Sequence, residues 1–132
     1  MTASTRSSGL NKIERLVLDK LLVGEHPALA TLRHQVARCL VSKREFSGKG
    51  FFTEFQLPAG ETAVPTSRSR IRFGDVVAEL HGVEGGAGFV LFVDDGYLVT
   101  LEGYVFVGAW PDEPEVESLR YDPNPRDLSG LE

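Results

Sequence analysis

The sequence holds one cysteine, Cys39, one tryptophan, Trp110, and no apolar run that approaches the length of a membrane span. A lone cysteine excludes an intramolecular disulfide and a cysteine-built zinc cage. Cys39 falls on the apolar stripe of a helical pattern, which points to core packing rather than to a nucleophile. The three histidines, His26, His34 and His81, are too widely spread for a zinc motif. Serine-rich stretches contain no G-x-S-x-G elbow. These absences leave no cofactor, no metal and no catalytic residue to assign. The opening MTASTRSSG has no apolar stretch of the kind a secretory signal needs, so a cytoplasmic protein is expected, with no membrane partner.

Charge is short of one sign in one place. From Trp110 onward seven acidic residues face only Arg120 and Arg126, whereas the rest of the chain balances twelve basic against twelve acidic residues. That segment therefore carries the whole net charge of −5. A neutral body with an acidic end argues against nucleic acid as a partner, which needs a clustered basic surface. Arg68, Arg70 and Arg72 alternate along one short stretch and are the only candidates for a phosphate or RNA contact. The acidic segment has the sign to neutralise them.

What is present is a pattern for an α+β domain. Asn11 and Glu14 have the spacing of a capping box, and Ile13, Val17 and Leu21 follow at helical spacing. A helix over 11–23 is predicted, ending at Gly24. Pro27 suits the first position of a second helix, whose stripe is Leu29, Leu32, Val36, Cys39 and Leu40, with Arg33, His34, Gln35 and Arg38 off it. After Leu40 the period changes to two, which predicts strands over 41–46 and 51–57. Residues 58–70, with two prolines, read as a long surface loop. Strand character returns over 71–81, with a bulge at Gly74-Asp75 and with Val76, Ala78 and Leu80 facing the core.

The longest apolar stretch, from Gly88 to Trp110, reads as two strands closed by a type I′ turn at Asp95-Gly96. The turn sets Asp94 opposite Tyr97 and predicts Phe89 opposite Glu102. One face then collects Val90, Phe92, Val99, Leu101 and Val105 for the core, and the other Phe89, Leu91, Val93, Leu98, Thr100, Glu102 and Tyr104. If Leu80 opposes Val90, His81, Phe89 and Glu102 form one row, with Glu79 and Tyr104 beside it. A histidine among carboxylates can serve as a general base.

The expected architecture is an N-terminal helical hairpin packed on one face of an antiparallel meander of about five strands. Residues 1–9 are expected to be disordered, 10–110 to form the single domain, and 111–132 to be an acidic, proline-containing tail.

The segment GAGFVLFVDDGYLVTLEGYVFVGAWP resembles small uncharacterised bacterial proteins in which a glycine-rich turn, an apolar strand, an L-E-G-Y strand and a closing W-P follow in order. Here these are Gly86 to Phe92, Leu101-Glu102-Gly103-Tyr104 and Trp110-Pro111. Some proteins of this look resemble immunity-type proteins that neutralise a partner toxin. The resemblance implies a bacterial protein without an assigned activity.

The leading expectation is a non-catalytic protein-binding module. Its face would be Phe89, Leu91, Leu98, Glu102 and Tyr104 with Trp110 as an anchor, and its partner another protein or a second copy in a homodimer. The alternative is a small enzyme or ligand-binding domain using Glu79, His81, Glu102 and Tyr104.

Overall fold

The computed structural model describes residues 9–132. The disorder expected for residues 1–9 lies outside the described residues except at Gly9, whose carbonyl accepts a 2.8 Å hydrogen bond from Arg44 Nη2. Two helices precede an antiparallel sheet, and the fold class is α+β.

Helix α1 spans Lys12–Leu21. Its start is fixed by the capping box: the Asn11 side chain accepts from the Glu14 N–H and the Glu14 carboxylate from the Asn11 N–H, both at 2.9 Å. Helix α2 spans Pro27–Arg38, with Pro27 at its first position. His26 caps it, its Nδ1 accepting from the Ala28 N–H at 3.0 Å.

Seven strands follow among the described residues: β1 (Leu40–Phe46), β2 (Gly50–Gln56), β3 (Ile71–Phe73), β4 (Val76–Leu80), β5 (Ala87–Asp94), β6 (Tyr97–Val105) and β7 (Val116–Tyr121). Their order across the sheet is β1-β2-β6-β5-β4-β7, with β3 beside β5 in line with β4. This differs from a five-strand meander in three ways. The strand expected over 71–81 is split at Gly74-Asp75. The second strand pairs with β6, not with its successor in sequence. The third difference is β7, which lies in the segment read as a tail and pairs antiparallel with β4.

The chain after Pro111 is tied down by specific groups. Tyr121 donates from its hydroxyl to the Lys20 carbonyl at 2.6 Å. Arg126 grips Asp75 with two hydrogen bonds of 2.6 and 3.0 Å and donates to the carbonyls of Leu21 and Val23, capping the end of α1. Its guanidinium also stacks 4.0 Å from the Tyr121 ring centre. Leu131, in a 3₁₀ turn, is buried in the core.

Buried side chains from both helices (Val17, Leu18, Leu29, Leu32) and from one face of the sheet (Phe51, Phe89, Leu91, Leu101) form one core cluster. Two polar groups are built into it. Glu14, fully buried, accepts two 2.7 Å hydrogen bonds from Arg44 and one from the Thr53 hydroxyl. Gln35, which the helical pattern puts off the stripe, is buried as well. Its amide nitrogen donates to the carbonyls of Val64 and Gly96, and its oxygen accepts from the Leu98 N–H, each at 2.9 Å. One amide thus joins α2, the long loop and the β5–β6 turn, which places the loop over the end of the hairpin.

Candidate functional site

The sheet face opposite the core is built from the β5–β6 register. The turn is as the sequence predicts: Asp95 and Gly96 both have positive φ, 54° and 84°, and Asp94 pairs with Tyr97 and Val93 with Leu98. One residue further on, the ladder slips. Phe92 pairs with Thr100 rather than Val99, so Val99 is an unpaired extra residue, a β-bulge. Every later pairing shifts by one: Leu91 opposes Leu101, Val90 opposes Glu102, and Phe89 opposes Gly103.

Because side chains alternate, the slip inverts the expected faces of β5. Phe89, Leu91 and Leu98, expected on the partner-binding face, are core residues with exposures of 1%, 0% and 6%. Val90 and Phe92, expected in the core, are on the outer face. Glu102 and Tyr104 are on the outer face as the pattern predicts. Trp110 is half-buried, its ring 5.2 Å from that of Phe51 and its backbone N–H donating to the Gly48 carbonyl, so it closes the β1–β2 turn rather than standing out as an anchor.

Three rows cross the outer face. Lys43, Glu54, Thr100, Phe92 and Arg72 form one, Glu45, Phe52, Glu102 and Val90 the next, and Gly50, Tyr104, Gly88, Val77 and Arg120 the third. Aromatic groups hold the surface in shape. Tyr104 lies across Gly88, where an added Cβ would come within 2.7 Å of its hydroxyl, and meets Phe106 edge to face at 5.6 Å. Arg72 covers the Phe92 ring at 4.7 Å and lies 3.4 Å from Asp94.

Glu102 sits in the middle of these rows. Its carboxyl is held above the usual glutamate range because neighbouring side chains take water away from it. Neither Glu102 nor Glu54 has an ion pair or a side-chain hydrogen bond among the described residues.

The row expected for the alternative polar site does not form. Phe89 opposes Gly103, not Glu102, and Leu80 pairs with Val116 rather than with Val90. His81 lies past the end of β4, its Nδ1 3.1 Å from Glu117, and Glu79 lies 3.9 Å from Arg120. Strand β7 thus takes up both Glu79 and His81. Glu102 and Tyr104 stay on the outer face of β6, two strands from β4.

The remaining candidates are elsewhere. Cys39 is buried and its thiol is pushed up to about 11 by that burial, which keeps it un-ionised at neutral pH. His34 lines a groove of about 470 Å³ between α2 and loop residues Thr62–Val64. Arg68 is tied to the Arg70 and Glu132 carbonyls, so the arginine stretch is partly taken up by the end of the described chain. Among the described residues no group of three His, Cys, Asp or Glu side chains is placed to hold a metal ion. No helix is long and apolar enough to cross a membrane.

Phe52, Val90 and Phe92 are the outer-face residues that sequence reasoning missed. A signal for them exists inside β6. Leu98 has the same parity as Thr100, Glu102 and Tyr104, so a regular strand would set a core leucine and a glutamate on one face, and only an irregularity between them resolves that conflict.

No family model, curated protein or solved structure matches this chain.

Proposed function

We propose that this is a non-catalytic binding protein whose outer sheet face, centred on Phe52, Val90, Phe92, Glu102 and Tyr104, receives another protein. The carrying observation is a sheet with core on one side and this set of aromatic and branched side chains on the other, with no second layer over them among the described residues. In this reading the helical pair is the layer that covers the inner face and keeps the sheet rigid, so the outer face is preformed for a partner. Its size fits. Six neighbouring strands at about 4.8 Å spacing and a nine-residue β6 give a face of roughly 700 Å², close to the ~800 Å² per partner of standard interfaces. A bacterial protein of immunity-type look, which the resemblance implies, would also take a protein partner.

Replacing Phe52 and Phe92 together by serine tests the reading, with circular dichroism to check the fold. The set of proteins captured on immobilised protein and the amount of each should both change relative to the parent, while the solution mass of the parent alone, by light scattering, should be that of a monomer. If neither the set nor the amounts change, the outer face is not the binding surface.

A further inference from the structure

The outer face also limits what its partner can be. Its charged groups divide into those satisfied within the chain and those left over. Among the described residues Lys43, directly opposite Glu54 in the β1–β2 register, lies 3.4 Å from Glu45, Arg72 lies 3.4 Å from Asp94, and Arg120 lies 3.9 Å from Glu79, so each of these cations already has a carboxylate. Glu54, whose opposed Lys43 pairs with Glu45, and Glu102 are the carboxylates of the face left without an ion pair among the described residues.

These two are neighbours. Glu54 pairs with Thr100 and Phe52 with Glu102, so Glu54 and Glu102 are diagonal positions on the adjacent strands β2 and β6. Diagonal Cβ atoms are about 7–8 Å apart on a sheet. Phe52, 37% exposed, and Thr100 complete the four-residue patch they define. An apolar partner covering this patch would bury Glu102 with no counter-charge and Glu54 beside a Lys43 already engaged by Glu45, which costs more than the apolar contact returns. A second copy of the same chain brings its own excess of carboxylates to the same surface.

We propose that the outer face takes a protein segment that is apolar along its contact stripe and sets an arginine or lysine between Glu54 and Glu102, against the Phe52 ring. A guanidinium there is offered two carboxylates and an aromatic face at once, and it fills the charge deficit left among the described residues. The inference rests on the outer face being the binding surface and adds the chemistry of the occupant.

The test uses three synthetic amphipathic helical peptides with the same leucine stripe and with arginine, glutamine or glutamate on the flanks of that stripe. Binding to the full chain is read by fluorescence anisotropy. The arginine peptide should bind at least tenfold tighter than the glutamine peptide, and the glutamate peptide weakest. Glu54→Gln with Glu102→Gln should remove that preference. Glu113→Gln with Glu115→Gln, which lowers the net charge equally away from the face, should leave it within about twofold. The proposal is overturned if the preference survives in E54Q/E102Q, if E113Q/E115Q removes it as well, or if light scattering finds a dimer that Phe92→Ser dissociates. Binding of all three peptides alike, lost in Phe52→Ser with Phe92→Ser, would keep the face and discard the cation. Peptide binding that Phe52→Ser with Phe92→Ser leaves untouched would discard both.

Discussion

The two faces of this sheet contain similar side chains and meet opposite fates. Each has phenylalanines and valines, and each has one glutamate at its centre. On the inner side Glu14, contributed by α1, is fully buried and accepts hydrogen bonds from Arg44, Thr53 and the Asn11 N–H. On the outer side Glu102 is half-buried and has no such partner among the described residues. A carboxylate can be taken out of water when donors surround it, and without them it is held toward its neutral form. The difference marks one face as finished and the other as open.

Removing each carboxylate should separate the faces most sharply. Glu14→Ala strips Arg44 and Thr53 of their acceptor inside the core and should cost about 3–5 kcal/mol of unfolding free energy. Glu102→Ala should cost less than about 1 kcal/mol. Urea denaturation of the two variants measures both. Equal losses would mean that Glu102 has a structural role that its surroundings do not show.

The apolar residues give the next contrast. Leu91 and Val90 are adjacent in β5 and point to opposite faces. Leu91→Ala opens a cavity in the core and should cost about 2–5 kcal/mol, whereas Val90→Ala should stay near 1 kcal/mol or below. A Val90→Ala cost as large as that of Leu91→Ala would show that the outer face is covered in solution.

The smallest effect is a pH dependence. Glu102 has its folded pKa raised above the unfolded value by desolvation. The stability linked to its neutral form is therefore fully present below the unfolded pKa and is lost as pH rises through the folded pKa. Glu102→Gln is neutral throughout and escapes that loss. Its melting temperature should match the parent's in acid and exceed it increasingly as pH rises through the carboxyl range, then by a constant margin. A difference that is flat with pH would mean that Glu102 is as well solvated as any surface glutamate.

Sequence reading succeeded on local elements and failed where distant segments choose one another. On β6 the pattern sets Leu101 and Val105 inward and Thr100, Glu102 and Tyr104 outward, as in the structure, but sets Leu98 outward where it is core. On β5 it was inverted by the single extra residue Val99. The alternative site failed for a related reason. The sequence pattern sets His81 and Glu79 against β5, while the structure gives them β7, a strand that nothing in the acidic, proline-bearing segment signals. Gln35 was missed because a polar residue on a helix is ordinarily solvated, and nothing within α2 reveals that the Val64 and Gly96 carbonyls and the Leu98 N–H converge on it.

The amino-acid sequence alone determined the parts governed by contacts within a few residues. The Asn11–Glu14 capping box starts α1, Pro27 starts α2, Asp95-Gly96 closes the central hairpin, and alternation marks β2 and β4. Tertiary structure alone decided that β2 pairs with β6, that β7 covers the edge of β4, that Val99 bulges, and hence which phenylalanines face a partner. Caps and turns are satisfied by neighbouring backbone groups and leave a mark in local composition. Strand partners and bulges are settled by which long-range arrangement buries the most apolar surface while pairing Glu14, Gln35 and Asp75, a balance that no short window of residues contains.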